Sequence, residues 1–386
     1  MPWLNPNNES NDFFFNPKLA MDSLPTEILL DIFERLDTES LLTLSVVSRT
    51  MHSLSGQLLF REFRDGYSSP ERCLERLRSF HHQVLKALSL ALQIRLIRAS
   101  HIREADMDEA QDILRSLLER SPNLQCLAVP GGQRVAGLLN DLLKDKDHFR
   151  RLQALESPGP SWEIPSVSTR YTSLEWRSSI FGLKGLRSLS LGSCVDADNY
   201  AGILSELQAS GDLSLRHIHI RDSNLGYTIL ARLIQSCRRL ESFDYNSPAG
   251  HSSEDSDPAT VIQALSLHED SLESLSFNFR STDIDEVFDQ VPKIGSLKKF
   301  LRLKSLSVNQ DCLPREPLLP PSLQDLSIEA LHGQPLEPIL FRNLAIASHL
   351  TLNSLSVLFV NRGCSIWPDR PVGIFDGFHE RIRILT

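Results

Sequence analysis

The hexamer LRSLSL at residues 186–191 decides the fold, because copies of it recur along much of the chain. Leucine stands at its first position, and apolar residues stand at its fourth and sixth positions. Close copies of the hexamer are LESLSF at 272–277, LKSLSV at 303–308, LQDLSI at 323–328 and LNSLSV at 352–357. Looser copies begin at Leu124, Leu152, Leu215 and Leu240, and the copy at Leu152 breaks the pattern with Ser157. Apolar residues at alternate positions predict a short β-strand in each copy.

The spacing of the copies predicts a repeat architecture. The nine copies from 124 to 352 are on average about 28 residues apart, inside the range of known short repeats. Between copies, apolar residues recur at helical spacing, as at Ile113, Leu117 and Leu118. Repetition of a strand followed by a helix produces a parallel sheet with helices on its outer face. We therefore predict an α/β fold in which a curved parallel sheet forms a solenoid.

The pattern resembles a leucine-rich repeat, with one departure. The ninth position of that repeat is usually Asn or Cys, and here it matches only at Cys194. The side-chain ladder at the turns is therefore expected to be mostly missing, which predicts an irregular solenoid. Apolar residues also alternate from Leu88 to Leu96, which predicts an earlier strand. Residues 156–185 are predicted to form an inserted loop.

A different pattern precedes the repeats, in LPTEILLDIFERL at residues 24–36. On a helical wheel its apolar residues cover an arc of roughly 200°, about twice the stripe of an ordinary surface helix. Two further short helices are predicted, one capped by Asp37 or Thr38 and one beginning near Arg49. Three helices in roughly 40 residues cannot bury a sufficient core alone. This unit is therefore predicted to be completed by a partner or by the repeats.

Residues of this unit resemble the F-box motif in type and spacing. The resemblance implies that the chain binds a Skp-type adaptor, and through it a cullin. An alternative is that the unit only caps the solenoid, but a cap needs a polar outer face, which the apolar arc does not supply. The adaptor-binding residues implied by the resemblance are Leu24, Pro25, Ile28, Ile32, Leu36, Leu41, Leu44 and Val47.

An F-box followed by leucine-rich repeats is a known arrangement, and many fungal proteins have it. We predict the following division of the chain: a disordered N-terminal tail at 1–20, a short three-helix F-box at 21–65, linker helices at 66–87, the irregular leucine-rich-repeat solenoid at 88–361, and a C-terminal cap or tail at 362–386.

Composition and motifs exclude several function classes. The net charge of −9 argues against nucleic acid as the main partner, and no apolar run is long enough to span a membrane. The six cysteines are widely spread, as in a reduced intracellular protein of the cytoplasm or nucleus. No catalytic, phosphate-binding or metal-binding motif occurs, so we expect no enzyme activity, no metal and no cofactor. His217 and His219 share a strand face but lack a third metal ligand.

The face of the sheet opposite the helices is the expected site for an unknown protein substrate. Ser occupies most of its outward positions, which closely spaced strands tolerate without any binding role. Larger polar side chains break this pattern on two neighbouring strands and form the predicted substrate-binding residues, which are His217, His219, Arg221, Asp244 and Asn246. The resemblance predicts the substrate-recognition subunit of a cullin–RING ubiquitin ligase of the Skp–cullin–F-box type. The alternative is an interaction scaffold that acts outside any ligase.

Overall fold

The structure is a computed structural model. It describes residues 24–65, 70–131, 133–145, 147–157, 172–173, 180–195, 212–223, 225–247, 259–279, 293–331, 339–340, 343–344, 354–360 and 382–385. The predicted tail at 1–20 and most of the predicted loop at 156–185 lie outside these residues.

Three short helices form the N-terminal unit: α1 (Thr26–Phe33), α2 (Thr38–Ser45) and α3 (Arg49–Leu59). The carboxylate of Asp37 accepts a hydrogen bond from the Ser40 amide at 2.8 Å, and the Ser48 hydroxyl accepts one from the Met51 amide at 3.2 Å. These caps satisfy amides that the first turns of α2 and α3 leave free. The unit has a small hydrophobic core of its own, made of Leu29, Phe33, Leu41, Met51 and Leu54.

A twelve-stranded parallel sheet makes up most of the rest of the described chain. Its strands are β1 (Glu62–Arg64), β2 (Leu96–Arg98), β3 (Cys126–Ala128), β4 (Ala154–Ser157), β6 (Ser188–Gly192), β8 (His217–Arg221), β9 (Ser242–Ser247), β10 (Ser274–Phe279), β11 (Ser305–Asn309), β12 (Asp325–Leu331), β13 (Ser354–Val360) and β14 (Ile382–Leu385), while β5 (Thr172–Ser173) pairs separately with β7 (Cys194–Val195). The order in the sheet follows the order in the chain, as in a solenoid.

The repeated hexamer sets both the start and the register of the strands. In all nine copies the strand begins at the third residue of the hexamer. Third positions also pair with third positions across the sheet, as Ser188 does with His217 and His217 with Ser242. The apolar fourth positions consequently stack in one buried layer, in which Leu189 and Ile218 are fully buried. The predicted parallel sheet of repeated strands is confirmed.

Helices pack against the buried side of this sheet. They are α4 (Pro70–Lys86), α5 (Leu88–Ala91), α6 (Met107–Arg120), α7 (Gln133–Leu143), α8 (Tyr227–Gln235) and α9 (Ala259–Leu265). Ile113, Leu117 and Leu118 of α6 are buried, as their helical spacing predicts. At the N-terminal end, the ring of Phe60 stacks on Phe80 of α4 and the ring of Phe63 packs against Phe80 at a tilt, with ring centroids 5.6 and 5.2 Å apart. These contacts link the three-helix unit to the sheet.

The strand predicted from Leu88 to Leu96 is wrong in its extent. Residues 88–91 form α5, and β2 begins only at Leu96. Ala91, Ile94 and Ile97 point into the core, whereas Leu88 and Leu92 are exposed by 61% and 51%. The alternating apolar residues do not all face the core. The residues that do face it are three positions apart, because a helical turn comes before the strand. The sheet also extends beyond the predicted 88–361 range, since β1 lies within 21–65 and β14 within 362–386.

The turn after β6 retains a short side-chain ladder. The Cys194 amide donates to the Ser223 hydroxyl at 2.9 Å, and this hydroxyl donates to the Arg221 carbonyl at 2.7 Å. Ser223, at the ninth position of its repeat, therefore has the bridging role that Asn or Cys usually has in a leucine-rich repeat. The residues just before these two, Ser193 and Asp222, have positive φ values of 51° and 50°. The two consecutive repeats thus turn with the same left-handed backbone conformation.

A buried histidine joins two repeats and makes their stability depend on pH. The Leu240 amide donates to Nδ1 of His268 at 3.3 Å, and Nε2 donates to the Ile234 carbonyl at 3.0 Å. The arrangement requires the neutral ring, because Nδ1 must accept. Burial lowers the pKa of His268, and the hydrogen bond to Ile234 only partly opposes this effect.

We expect the free energy of unfolding to fall through this residue as the pH is lowered from 7 to 5.5. The sign follows because the unfolded chain binds a proton at His268 near its ordinary pKa, whereas the folded chain, in which the pKa is lowered, binds it only at a lower pH. Urea unfolding of wild type and of His268→Gln at both pH values measures the effect, and the variant should show the smaller pH dependence. The exposed His82→Gln variant should behave as wild type. Identical pH dependence in wild type and His268→Gln would contradict this assignment.

Candidate adaptor-docking face and concave surface

The broad apolar arc of α1 divides into two sides. Leu29 and Phe33 face the core of the three-helix unit, with 1% and 0% exposure. Ile28 and Ile32 remain 49% and 38% exposed, and helical positions four apart lie above one another on one face. These two residues therefore form one uncovered apolar stripe. Leu24, which precedes the helix, is also 38% exposed.

Helix α2 and the turn that follows it carry a second uncovered apolar group. Leu42 of α2 is 54% exposed, and Val46 and Val47 of the turn are 84% and 48% exposed. The resemblance to the F-box motif includes Val47 but neither Leu42 nor Val46. Two adjacent valines at the end of a short helix cannot both face inward, which is the signal that was available. We refer to Leu24, Ile28, Ile32, Leu42, Val46 and Val47 as the outer apolar set.

The eight predicted adaptor-binding residues do not all lie on this surface. Pro25 is exposed together with Leu24, Ile28, Ile32 and Val47 of the outer apolar set. Leu36 and Leu44 are half-buried against the small core, and Leu41 lies within it at 7% exposure. Leu41 therefore belongs to the interior of the unit, because α3 packs over that side of α2. Any effect of changing Leu41 would pass through the stability of the unit.

Charged side chains accompany the outer apolar set. Arg35 pairs with Asp31 at 3.3 Å on α1, and both side chains are largely exposed. Arg61 pairs with Glu34 at 2.5 Å where the three-helix unit meets the sheet. Exposed pairs of this kind contribute little to stability. The arrangement, with apolar residues exposed beside ion pairs, has the composition of a protein interface with a polar rim.

The predicted substrate residues on β8 and β9 are brought together. Arg221 donates to Oδ2 of Asp244 through Nε at 3.0 Å and through Nη2 at 2.9 Å. Nδ1 of His219 lies 3.5 Å from the same oxygen, and Nε2 of His217 lies 3.9 Å from a carboxylate oxygen of Glu241. Asn246 lies two residues beyond Asp244 on the same strand, and its Oδ1 is buried without a hydrogen bond in the described part of the chain.

The electrostatics of this patch differ from those expected for an anion site. Burial raises the pKa of Asp244, but hydrogen bonds from His219, Ser276 and Arg221 outweigh this effect and hold the pKa below its usual value. Asp244 is therefore ionised at neutral pH and neutralises Arg221. Arg221 still exposes 67% of its side chain, but it is no longer an uncompensated charge.

A row of polar residues occupies the seventh position of the repeats, and of this row only Asn246 is among the predicted substrate-binding residues. Asn278 and Asn309 are each 3% exposed and Glu329 is 9% exposed, and Asn309 pairs with Glu329 in register. Nδ2 of Asn278 donates to Oε1 of Glu329 at 2.9 Å. The available signal was asparagine one residue after the hexamers at 240, 272 and 303.

A serine, a histidine and an aspartate also meet near β2, but not as a catalytic triad. Oδ2 of the buried Asp65 lies 2.9 Å from Nδ1 of His101 and accepts from the Ser100 hydroxyl at 3.3 Å. Ser100 also lies 3.3 Å from that same Nδ1. In a triad the serine and the carboxylate use opposite nitrogens of the ring. These hydrogen bonds instead connect Asp65, which follows β1, to Ser100 and His101, which follow β2.

The described residues include no group of three or more His, Cys, Asp or Glu side chains placed to bind a metal ion. Nor does any helix among them combine the length and apolar character needed to cross a membrane.

Comparisons with known proteins relate the N-terminal unit to a family. The family model described as F-box-like matches residues 21–64. Among solved structures, the chain is similar to one from the crystal structure of the Rad7 and Elc1 complex in yeast. The identity is 14% and the TM-score 0.41, with 95% of this chain and 91% of that chain covered. The comparison with curated proteins returned no match.

Proposed function

We propose that this chain, whose residues 21–64 form an F-box-like domain, is the substrate-recognition subunit of a cullin–RING ubiquitin ligase of the Skp–cullin–F-box type. The F-box-like domain binds a Skp-type adaptor, which connects the chain to a cullin. The repeats, which we assign to an irregular leucine-rich-repeat class, hold a protein substrate. The observation that carries the proposal is the outer apolar set on an F-box-like domain that already has a core of its own.

Burial of the outer apolar set supports docking of a partner. Fully burying one large aliphatic side chain stabilises a protein by about 1.5–3 kcal/mol. The five residues of the small core therefore contribute roughly 8–15 kcal/mol before the conformational entropy of ordering the unit, about 1–2 kcal/mol per residue, is subtracted. Covering the outer set adds a contribution of the same order as that of the small core. Ile28 and Ile32 remain open although helices α2 and α3 already cover the opposite side of α1. An adaptor that supplies an apolar groove fits this face.

The proposed role of the chain is positional, and we assign it no chemical step of its own. Parallel strands paired in register make the repeat region a stiff support, and the F-box-like domain is anchored to its first strand through Phe60, Phe63 and Phe80. A substrate bound on the repeats is then held near the ubiquitin-carrying enzyme at a raised effective concentration. Such a receptor works in the cytoplasm or the nucleus.

Co-purification tests the proposal. The full-length chain, expressed with an affinity tag in its own cells, is expected to retain a Skp-type adaptor and a cullin, and deleting its gene is expected to lengthen the half-life of specific proteins. Retention of the adaptor without a cullin, with no change in any half-life, would favour the scaffold that acts outside a ligase. Absence of the adaptor would contradict both readings.

A further inference from the structure

The beginnings of the strands form one edge of the sheet, and positively charged residues recur along this edge. Backbone hydrogen bonds connect the second residues of successive repeats in one line. The Arg187 amide donates to the Gln153 carbonyl at 2.8 Å, and the Arg216 amide donates to the Arg187 carbonyl at 2.7 Å. The same link joins Arg95 to Arg61 at 2.8 Å. Residues at this position therefore recur about every 4.8 Å, one strand at a time.

Two turns meet at this edge between β4 and β6. A Cβ atom added at Gly185 would lie 2.8 Å from the Arg150 carbonyl oxygen, closer than real contacts allow. Glycine thus lets the turn at 184–187 press against the turn at 150–152. The close approach gathers four cationic residues at one place, namely Arg150, Arg151, Lys184 and Arg187. We call these four residues the basic edge.

Acidic side chains of the described residues do not neutralise the basic edge. All four side chains are exposed, and within the described part of the chain none of them forms an ion pair or a side-chain hydrogen bond. Asp147 is exposed nearby but makes no ion pair there either. The flanking cations differ, because Arg61 pairs with Glu34 and Arg216 pairs with Glu241.

Neighbouring charge reinforces the edge. Burial lowers the pKa of Arg95, and the nearby positive charges of Arg151 and Arg61 lower it further. The cations are therefore close enough to repel one another. In a chain with a net charge of −9, a group of cations left without partners is open to a bound anion.

We propose that the basic edge binds an acidic segment of the protein substrate, through carboxylate or phosphate groups. This inference rests on the proposed function and names the chemistry of its substrate. From Arg95 to Arg187 the row of second-position residues crosses three strand-to-strand spacings, or roughly 14 Å. An extended peptide segment of about four residues spans this distance. The patch on β8 and β9 is the weaker anion site, because Asp244 already neutralises Arg221.

Fluorescence anisotropy with the full-length chain tests the assignment. The probes are a labelled twelve-residue peptide with two phosphoserines, the same peptide with glutamate at those positions, and the same peptide with unmodified serines. We expect the acidic peptides to bind more tightly than the serine peptide, and more weakly as salt is raised. Preference for one acidic form supports the proposal and identifies the source of the charge. Equal binding of all three peptides would overturn it.

Two double variants, one at the basic edge and one on β8, locate the site. Arg151→Glu with Arg187→Glu is expected to weaken binding of the acidic peptides about tenfold, since each change replaces attraction by repulsion. His219→Ala with Arg221→Glu changes the rival patch on β8 and β9, and it should cost less affinity than the first variant, because that arginine is already paired with Asp244. An equal or larger loss in the second variant, or none in the first, would place the site elsewhere. Tighter binding of a single-stranded oligonucleotide of equal charge would overturn the assignment to a peptide.

Adaptor co-purification separates this inference from the proposed function. The basic-edge variant should retain the adaptor as wild type does. A wild-type chain that binds the acidic peptides at the basic edge but does not bind the adaptor would contradict the proposed function and leave the anion site standing.

Discussion

Replacing Ile28 and Ile32 together with aspartate is expected to abolish adaptor binding while the chain stays folded. Both side chains lie on the exposed side of α1, so water still solvates the new carboxylates in the free chain. In the complex the carboxylates would be desolvated against an apolar surface without partners, which costs several kcal/mol. Titration calorimetry of the purified chain with a Skp-type adaptor should show at least a hundredfold loss of affinity.

Two control variants make this result specific. Phe33→Ala removes a fully buried ring on the opposite side of the same helix, and it should destabilise the F-box-like domain by about 3–5 kcal/mol. Arg35→Ala, in an exposed ion pair, should leave both stability and adaptor binding close to wild type. If the double aspartate variant binds the adaptor normally and keeps its melting temperature, the outer apolar set is not the docking face.

Leu306→Ala is expected to destabilise the repeat region by about 2–5 kcal/mol and to loosen its neighbours as well. Leu306 is fully buried on β11, between Leu275 on β10 and Leu326 on β12 in the same register. Repeats in a solenoid are stabilised mainly by adjacent repeats, so damage to one strand should spread to those beside it. Amide hydrogen exchange should become faster in β10, β11 and β12 while β2 and β3 stay protected.

A nearby exposed leucine supplies the control. Leu301 is 63% exposed in the turn before β11, so Leu301→Ala should change stability by less than about 0.5 kcal/mol. Leu275→Ala should resemble Leu306→Ala, because both side chains occupy the same layer. Exchange that accelerates uniformly over the whole described sheet would indicate a single cooperative globular core, contrary to a repeat architecture.

The strand pattern could be predicted from sequence because it is a local property. Leucine at the first position and apolar residues at the fourth and sixth positions specify which side of the strand is buried. Since the same pattern recurs, all nine copies pair in one register. Strands whose repeats depart from this pattern could not be predicted in the same way. The repeats of β1 and β2 open with Phe60 and Ile94 at the position that leucine holds elsewhere, and residues 88–91 form a helix despite their alternation.

The sequence by itself determined the parallel sheet of repeated strands and the three-helix unit, because periodicity and capping depend on neighbours along the chain. Only the tertiary structure decided which side of α1 stays uncovered, since that depends on how α2 and α3 fold back over it. The sequence predicts that Arg221 and Asp244 lie in one patch. Only the distance between the guanidinium and the carboxylate shows that the two side chains, on neighbouring strands, neutralise each other. The close approach at Gly185, which gathers the unpaired cations of the basic edge, has no sequence pattern either. Contacts between residues far apart in the chain decide which charges remain free, and such contacts exist only after folding.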